Sequence, residues 1–180
     1  AKVVTSSIQR DAGEALQEEL RAAGYDVTYI YCDVTDELQV ADLVQATVAL
    51  HGRVDGACSN AGAWVEGTVE DFDDAQWDLV MGVNLRGNFL LAKHLVPVFR
   101  EQGEGVLLIT TSTAAYVGFP AHAEGAPVGA AVGHVEVQPA RVPVMISVFH
   151  DSCAALDGKV QNGDCTPRRF GLRVFPAPGL

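Results

Sequence analysis

The sequence predicts an α/β fold built on parallel strands. Two observations support this prediction. Strand-like and helix-like hydrophobic patterns alternate along residues 1–113, and the run GVLLITT at 105–111 is apolar throughout. A strand that is buried on both faces by helices has this continuous apolar character. Alternating strands and helices favour parallel strands joined by right-handed crossovers, so we expect helices on both faces of the sheet.

The first elements follow from local patterns. KVVT at 2–5 is typical of a short strand, and VTYIYCDV at 27–34 of a second strand, because both are rich in β-branched or aromatic residues. A helix lies between them, beginning at a capping-box pattern formed by Asp11 and Glu14 and closed by Gly24. Its apolar stripe consists of Ala12, Ala15, Leu16 and Leu20.

The next elements repeat this order. Thr35 or Asp36 caps a second helix that Gly52 closes, and VDGACSNAG at 54–62 is a strand entering a glycine turn. A long helical pattern then covers 74–100, with Pro97 near its end, where a kink costs less. The apolar strand at 105–111 follows.

The composition and the hydrophobic periodicity of the chain change after Pro120. Between residues 117 and 143 about 20 of 27 residues are Ala, Gly, Pro or Val, and no helical or strand period persists. We therefore divide the chain into a core at 1–120 and an irregular, divergent tail at 121–180. Within the tail, VPVMISVFH at 142–150 and GLRVF at 171–175 are candidate short strands.

Charge and composition restrict the function classes. The net charge of −11 argues against nucleic acid and anionic membranes as partners, because both require a basic face. No apolar run reaches about 18 residues, so no membrane span is predicted. The four cysteines contain no C-x-x-C pair, and Cys32 and Cys58 lie in apolar strand-like runs as small hydrophobic residues. This usage indicates a reducing compartment, so we predict a cytoplasmic protein, and the start at Ala1 suggests a fragment or a processed chain.

Three polar groups are predicted to lie at strand ends. Asp33 and Val34 end the second strand, the segment 59–62 ends the third, and Thr111 and Ser112 end the fourth. Ligands bind at the carboxyl ends of the strands in open parallel sheets, so these groups are candidates for one site.

In order and spacing, four motifs resemble the short-chain dehydrogenase/reductase family. They are CDVTD at 32–36, SNAG at 59–62, WDLVMGVNLRG at 77–87 and LLITTS at 107–112. The resemblance covers residues 1–120 and implies a Rossmann-like, doubly wound parallel sheet that binds NAD(H) or NADP(H).

The resemblance also implies roles for individual residues. Asp33 and Val34 would lie against the adenine, with Asp33 accepting a hydrogen bond from its amino group. Asn60, Ala61 and Gly62 would form a turn that lets the backbone approach the cofactor, which only small residues permit. Asn84 would interrupt the long helix, and its main-chain carbonyl would hold a water of the proton relay. Ser112 would hydrogen-bond the substrate carbonyl or alcohol.

Cofactor choice rests on the end of the first strand. KVVTSS resembles the family strand whose end selects the cofactor, and NAD users place an acid there for the ribose hydroxyls. Ser7 occupies that position and Arg10 follows it, so the sequence leans weakly towards NADP.

Two parts of the family pattern are absent from the sequence. One is the glycine-rich turn with the strand before it, so we expect a partial sheet that lacks its first strand and leaves the strands at 2–5 and 54–58 without a shared neighbour. Sliding of KVVT inward is the alternative. The other is the Tyr-x-x-x-Lys pair, expected near Gly125 and Gly129. A phenol needs a neighbouring cation to exchange protons near neutrality.

These features lead to two function hypotheses. The first is an NAD(P)-dependent oxidoreductase that transfers a hydride between nicotinamide and a small-molecule alcohol or carbonyl, inactive or impaired as this chain. The alternative is a non-catalytic, truncated Rossmann-like interaction protein whose open strand edge pairs with another chain. The family forms dimers or tetramers through its long helices, so a homo-oligomer is a further expectation. No metal site is predicted, because the candidate ligands in the tail, His150, Asp151, Cys153 and Cys165, fit no regular zinc spacing.

Overall fold

The computed structural model describes residues 1–112 and 144–149. Strands and helices alternate as predicted. The strands are β1 (Lys2–Ser7), β2 (Asp26–Tyr31), β3 (Gly56–Ser59), β4 (Val106–Ser112) and β5 (Val144–Phe149). The helices are α1 (Arg10–Ala22), α2 (Glu37–His51), α3 (Asp74–Met81) and α4 (Gly87–Gln102), with a π-helical turn at Gly82–Arg86 between the last two.

The strands form two parallel sheets. β1 pairs with β2, with Lys2 opposite Asp26, and β3, β4 and β5 form a three-stranded sheet. Within the described part of the chain no ladder joins β1 to β3. The predicted partial sheet is therefore confirmed, and the alternative in which KVVT slides inward is wrong, because β1 does not take the missing place beside β3 in the described residues.

The helix ends show which capping predictions hold. Asp36 caps α2 by accepting hydrogen bonds from the amides of Leu38 and Gln39, and Gly52 closes it at a φ of 79°. The bonds from Gln39 are the main reason why the pKa of the Asp36 carboxyl is lowered. The capping box at Asp11 is wrong: the N-cap of α1 is Gln9, two residues earlier, and its side chain makes no cap bond.

The long helical pattern at 74–100 is interrupted. Asp73 and Gln76 form a capping box that starts α3, and the π-turn then separates α3 from α4. In this turn the amide of Gly87 bonds to the carbonyl of Gly82, five residues back instead of four. A Cβ at position 87 would lie 3.0 Å from the Val34 side chain, so Gly87 lets the helix approach the end of the second strand.

The core lies between the β3–β4 sheet and the helices that cover it. Its largest member, Phe99, is fully buried and packs with Leu95, Leu107 and Ile109. A second small cluster joins Cys32, Val40 and Leu90, which come from the end of β2, α2 and α4. Because α2 contributes to both clusters, it connects the two sheets through apolar contacts.

β5 lies inside the strand predicted at 142–150 and pairs in parallel with β4. The strand predicted at 171–175 and the remainder of the tail lie outside the described residues. In the parts of the chain that the structure describes, no helix is long and apolar enough to cross a membrane.

Candidate functional site

The candidate residues of the second sheet lie at one edge. β3 and β4 are parallel and Ser59 is in register with Ile109, so the segment after Ser59 and the backbone of Ser112 both lie at the carboxyl edge. Ligands bind at this edge in parallel sheets. Asn60, Ala61 and Gly62 are all exposed there, which leaves their backbone open to a ligand.

Asn84 fixes the far end of this exposed turn. The nitrogen of its side-chain carboxamide donates to the carbonyl of Ala63. The oxygen of the same carboxamide accepts from the main-chain amide of Ala63, and both distances are 2.8 Å. The side chain thus replaces a backbone pair, and an unpaired amide in such a place costs about 1–3 kcal/mol. The family resemblance implies a role for the main-chain carbonyl of Asn84, whereas the structure adds this clamp through its side chain.

Asn88 is a residue that sequence analysis missed. It is 5% exposed and is the only buried polar residue among those described. Its carboxamide oxygen accepts from the hydroxyl of Ser59, and its nitrogen donates to the main-chain carbonyl of Asn84 at 2.6 Å. The available signal was an asparagine on the apolar stripe of a helix, between Gly87 and Leu90.

One carboxylate oxygen of Asp33 is used in a local turn. Its Oδ1 accepts hydrogen bonds from the amide and the hydroxyl of Thr35, at 2.9 and 2.7 Å. In the described part of the chain no hydrogen bond reaches its other carboxylate oxygen, so Oδ2 is open to a donor. Val34 contacts Gly87, and Arg86 donates to the carbonyl of Thr35, so the π-turn holds this segment beside α4.

Ser7 and Arg10 lie at the end of β1. The Ser7 hydroxyl accepts from the amide of Gln9 at 3.2 Å, and its carbonyl accepts from the Tyr29 hydroxyl at 2.8 Å. The Arg10 guanidinium lies 4.7 Å from the centre of the Tyr31 ring, in a cation–π contact, and 3.9 Å from Glu14. The cation is therefore near the strand end, and its side chain is 59% exposed.

The predicted site residues thus fall into two groups. Asn84 bonds to Ala63, the residue directly after the exposed turn at 60–62, and Ser112 shares its edge of the sheet by its backbone position. Asp33 and Val34 are connected to this group through the π-turn, whereas Ser7 lies at the end of the separate β1–β2 sheet.

The two described cysteines differ. Cys32 is buried, and burial, together with the charges of Asp33 and Asp36, raises the pKa of its thiol to about 11. Cys58 is exposed, so its interpretation as a small core residue is wrong. Strand residues alternate between faces, and Ala57 and Ser59 take the face that packs against α4, which turns Cys58 to the other face.

No group of three potential metal ligands occurs within residues 1–112 and 144–149. The tail residues considered as ligands, His150, Asp151, Cys153 and Cys165, lie outside the described residues.

The chain matches known proteins over most of its length. A family model described as Enoyl-(Acyl carrier protein) reductase matches residues 1–136. The (+)-borneol dehydrogenase 1 of Salvia officinalis is 45% identical over 115 residues, which are 62% of this chain and 43% of that protein. The chain spans about half the length of the curated relatives it matches.

Solved structures share the fold. A short-chain dehydrogenase/reductase from Burkholderia phymatum in complex with NAD has a TM-score of 0.78 and 23% identity, over 83% of this chain and 56% of that one. A metagenomic short-chain oxidoreductase in complex with NADP has a TM-score of 0.75 and 24% identity, over 82% and 70%. At this identity the likeness shows the fold alone.

Proposed function

The chain belongs to the short-chain dehydrogenase/reductase family, and on this basis we propose that it binds NAD(P) at the carboxyl edge of its strands. The proposed reaction type is hydride transfer between nicotinamide and a small-molecule alcohol or carbonyl. The observation that carries the proposal is the exposed turn at 60–62, held by Asn84 beside the π-turn. π-turns of this kind are frequent at functional sites.

The residues at this edge fit a dinucleotide. The exposed backbone at 60–62 allows close approach of a ligand, and Oδ2 of Asp33, which no donor among the described residues reaches, is an acceptor for the adenine amino group. Bound NAD(P) would supply the hydride chemistry. The residues of this chain would hold it: Asp33 and Val34 at the adenine, and the turn at 60–62 along the cofactor.

NADP is the preferred form in our proposal. Ser7 brings no carboxylate to the position at which NAD users bind ribose hydroxyls, and Arg10 offers an accessible guanidinium nearby. A guanidinium binds phosphate oxygens well, and that of Arg10 lies over the Tyr31 ring and 3.9 Å from Glu14 on an exposed surface. Among fold neighbours one holds NAD and another holds NADP, so the fold is compatible with either.

We further propose that this chain turns over little or no substrate. Ser112 would hydrogen-bond the substrate oxygen and the Asn84 carbonyl would hold a water, but the sequence contains no Tyr-x-x-x-Lys pair to exchange the proton. Hydride transfer to a carbonyl requires a proton donor for the oxygen. Binding of the cofactor is therefore expected without efficient catalysis.

The test has two arms. Titration with NADPH and NADH, followed by cofactor fluorescence, is expected to give saturable binding that is tighter for NADPH, and Arg10→Ala is expected to remove that difference. Turnover is assayed with NADPH and a panel of ketones, and with NADP and alcohols including borneol. Turnover that Ser112→Ala abolishes would contradict the proposed impairment, and absence of binding by both cofactors would contradict the proposed function.

A non-catalytic interaction role is the second candidate. Its supporting observation is that, in the described sheets, one edge of β1 and one edge of β3 have no strand partner. Open edges are templates for pairing with another chain. Size-exclusion chromatography with light scattering tests this candidate: concentration-dependent assembly that Val4→Pro suppresses favours it, whereas a monomer at all concentrations contradicts it.

A homo-oligomer formed through the helices is also proposed. A groove of about 460 Å³ lies between α2 and α4, and its lining is mostly apolar. Val48 and Val98 face it from the two helices. If helices of a second copy cover this groove, Val98→Asp gives a smaller particle in light scattering, and an unchanged mass contradicts the proposal.

A further inference from the structure

Asn88 stands out because it is polar where its neighbours are apolar. The buried residues around it on α4 include Leu90, Ala92 and Leu95. A buried carboxamide is unfavourable unless its oxygen and nitrogen are both hydrogen-bonded. Both groups of Asn88 are used, and both partners, Ser59 and Asn84, belong to the candidate site.

The two bonds of Asn88 run in opposite directions. Its oxygen receives the Ser59 hydroxyl at the end of β3, and its nitrogen reaches back one helical turn to the Asn84 carbonyl. Asn84 in turn grips the main chain of Ala63 through its side chain. A continuous hydrogen-bond chain therefore runs from Ser59 through both asparagines to Ala63.

This chain holds both ends of the exposed turn. Ser59, which precedes the turn, bonds to Asn88, and Ala63, which follows the turn, bonds to Asn84. Residues 60–62 are therefore fixed between two points on one helix surface. The link at Ser59 depends on Asn88 alone, because no other hydrogen bond of the Ser59 hydroxyl occurs in the described residues. Loss of Asn88 would remove the side-chain tie between Ser59 and α4, which leaves this end of the turn held by the pairing of β3 with β4 alone, and would also free the Asn84 carbonyl.

We infer that Asn88 is a positioning residue that, through Ser59 and Asn84, sets the conformation of the turn at 60–62. The effect of Asn88 on dinucleotide affinity rests on the proposed function. Its effect on the conformation of the turn is independent of that function. Asn88 touches no ligand itself. It acts by holding the backbone that faces the ligand and the carbonyl of Asn84.

The experiment compares Asn88→Ala, Ser59→Ala and the double variant. Hydrogen–deuterium exchange of the ligand-free protein is expected to rise about tenfold in residues 60–64 in each single variant, the size that corresponds to one lost hydrogen bond. The double variant is expected to exchange no faster than Asn88→Ala, because both changes break the same contact. Ser59→Thr, which keeps the hydroxyl, is expected to restore the wild-type rate.

Gln102→Ala is the matched control. It removes an amide side chain that bonds to the backbone of Val54, at the other end of β3, and to the carbonyl of Glu104. Exchange in 60–64 is expected to stay unchanged in this variant. The NADPH dissociation constant is expected to rise about tenfold in Asn88→Ala and Ser59→Ala, and to stay unchanged in Gln102→Ala.

The outcomes separate the two claims. Faster exchange confined to 60–64, without measurable NADPH binding by the wild type, supports the positioning role and contradicts the proposed function. Unchanged exchange in 60–64, or an increase of equal size throughout the chain, overturns the positioning role. If Asn88→Ala does not fold, Ser59→Ala decides the question alone.

Discussion

The two ends of β3 are held by the same chemical device. At the amino end the Gln102 side chain donates to the carbonyl of Val54 at 2.8 Å and accepts from its amide at 2.9 Å. At the carboxyl end Asn84 pairs in the same way with Ala63. In both cases an amide side chain takes the place of a neighbouring strand. Two helical positions thus fix the entry to the strand and the exit from it.

The surroundings of the two clamps differ. Next to the amino-end clamp, Arg53 forms exposed ion pairs with Asp55 and Glu104, and these partners raise the pKa of its guanidinium. Next to the carboxyl-end clamp lie the buried Asn88 and an uncharged, exposed turn. The amino end therefore presents charged side chains to water, whereas the carboxyl end exposes an uncharged backbone turn.

The largest expected effect is on the core that supports both ends. Phe99→Ala removes a fully buried ring from the cluster between α4 and the sheet, and should lower the free energy of unfolding by about 3–5 kcal/mol. Urea unfolding monitored by far-UV circular dichroism measures this change in the free energy of unfolding. Leu50→Ala, at a 53% exposed position of α2, is the control and should change little. A similar midpoint for both variants would contradict the core assignment.

A second prediction compares the two clamps directly. Asn84→Ala removes two side-chain bonds to the backbone, and Gln102→Ala removes three, one of them at 3.3 Å to the carbonyl of Glu104, so each variant should lose about 1–2 kcal/mol of stability. Thermal unfolding measures the two costs. A Gln102→Ala protein as stable as the wild type would show that the amino-end clamp is not needed to hold β3.

The rates at which Cys32 and Cys58 react should differ, because Cys32 is buried and Cys58 is exposed. With its pKa raised to about 11, about one Cys32 thiol in a thousand is ionised at pH 8, and its burial hinders access further. Iodoacetamide should therefore modify Cys58 long before Cys32, as peptide mass spectrometry can resolve. Because the thiolate is the reactive form, Cys32 modification should accelerate as the pH rises towards 10. Equal rates at pH 8 would contradict the burial of Cys32.

The smallest expected effect is at the charged side of the amino end. Arg53→Gln removes ion pairs whose members are all exposed, and such pairs contribute little because water and salt screen them. Its melting temperature should fall less than that of Gln102→Ala, and added salt should shrink the difference from the wild type. A larger fall than in Gln102→Ala would mean that charge, and not the amide clamp, fixes this end.

Much of this comparison could be predicted from sequence. The glycine turn after β3, the Asp36 cap and the continuous apolar β4 all follow from local patterns that local physics dictates. The break in the sheet followed from counting the strands of the resembling family, and the structure confirms it.

The clamps could not be predicted, because they join residues about 20 and 48 positions apart and depend on how helices dock on the sheet. The spacing of apolar residues at 74–100 is that of a continuous helix, so only the family resemblance implied that Asn84 interrupts it, where the structure has the π-turn. The role of Asn88 could not be predicted either, because only the packing of α4 decides whether a helical asparagine is exposed or buried.

The most direct test of the difference between the two ends is an NADPH titration of three proteins: the wild type, Asn84→Ala and Gln102→Ala. Our account predicts saturable binding by the wild type and by Gln102→Ala with the same dissociation constant, and at least about tenfold weaker binding by Asn84→Ala. Equal weakening in both variants, or no binding by the wild type, would contradict the claim that the carboxyl end of β3 is the ligand-binding end.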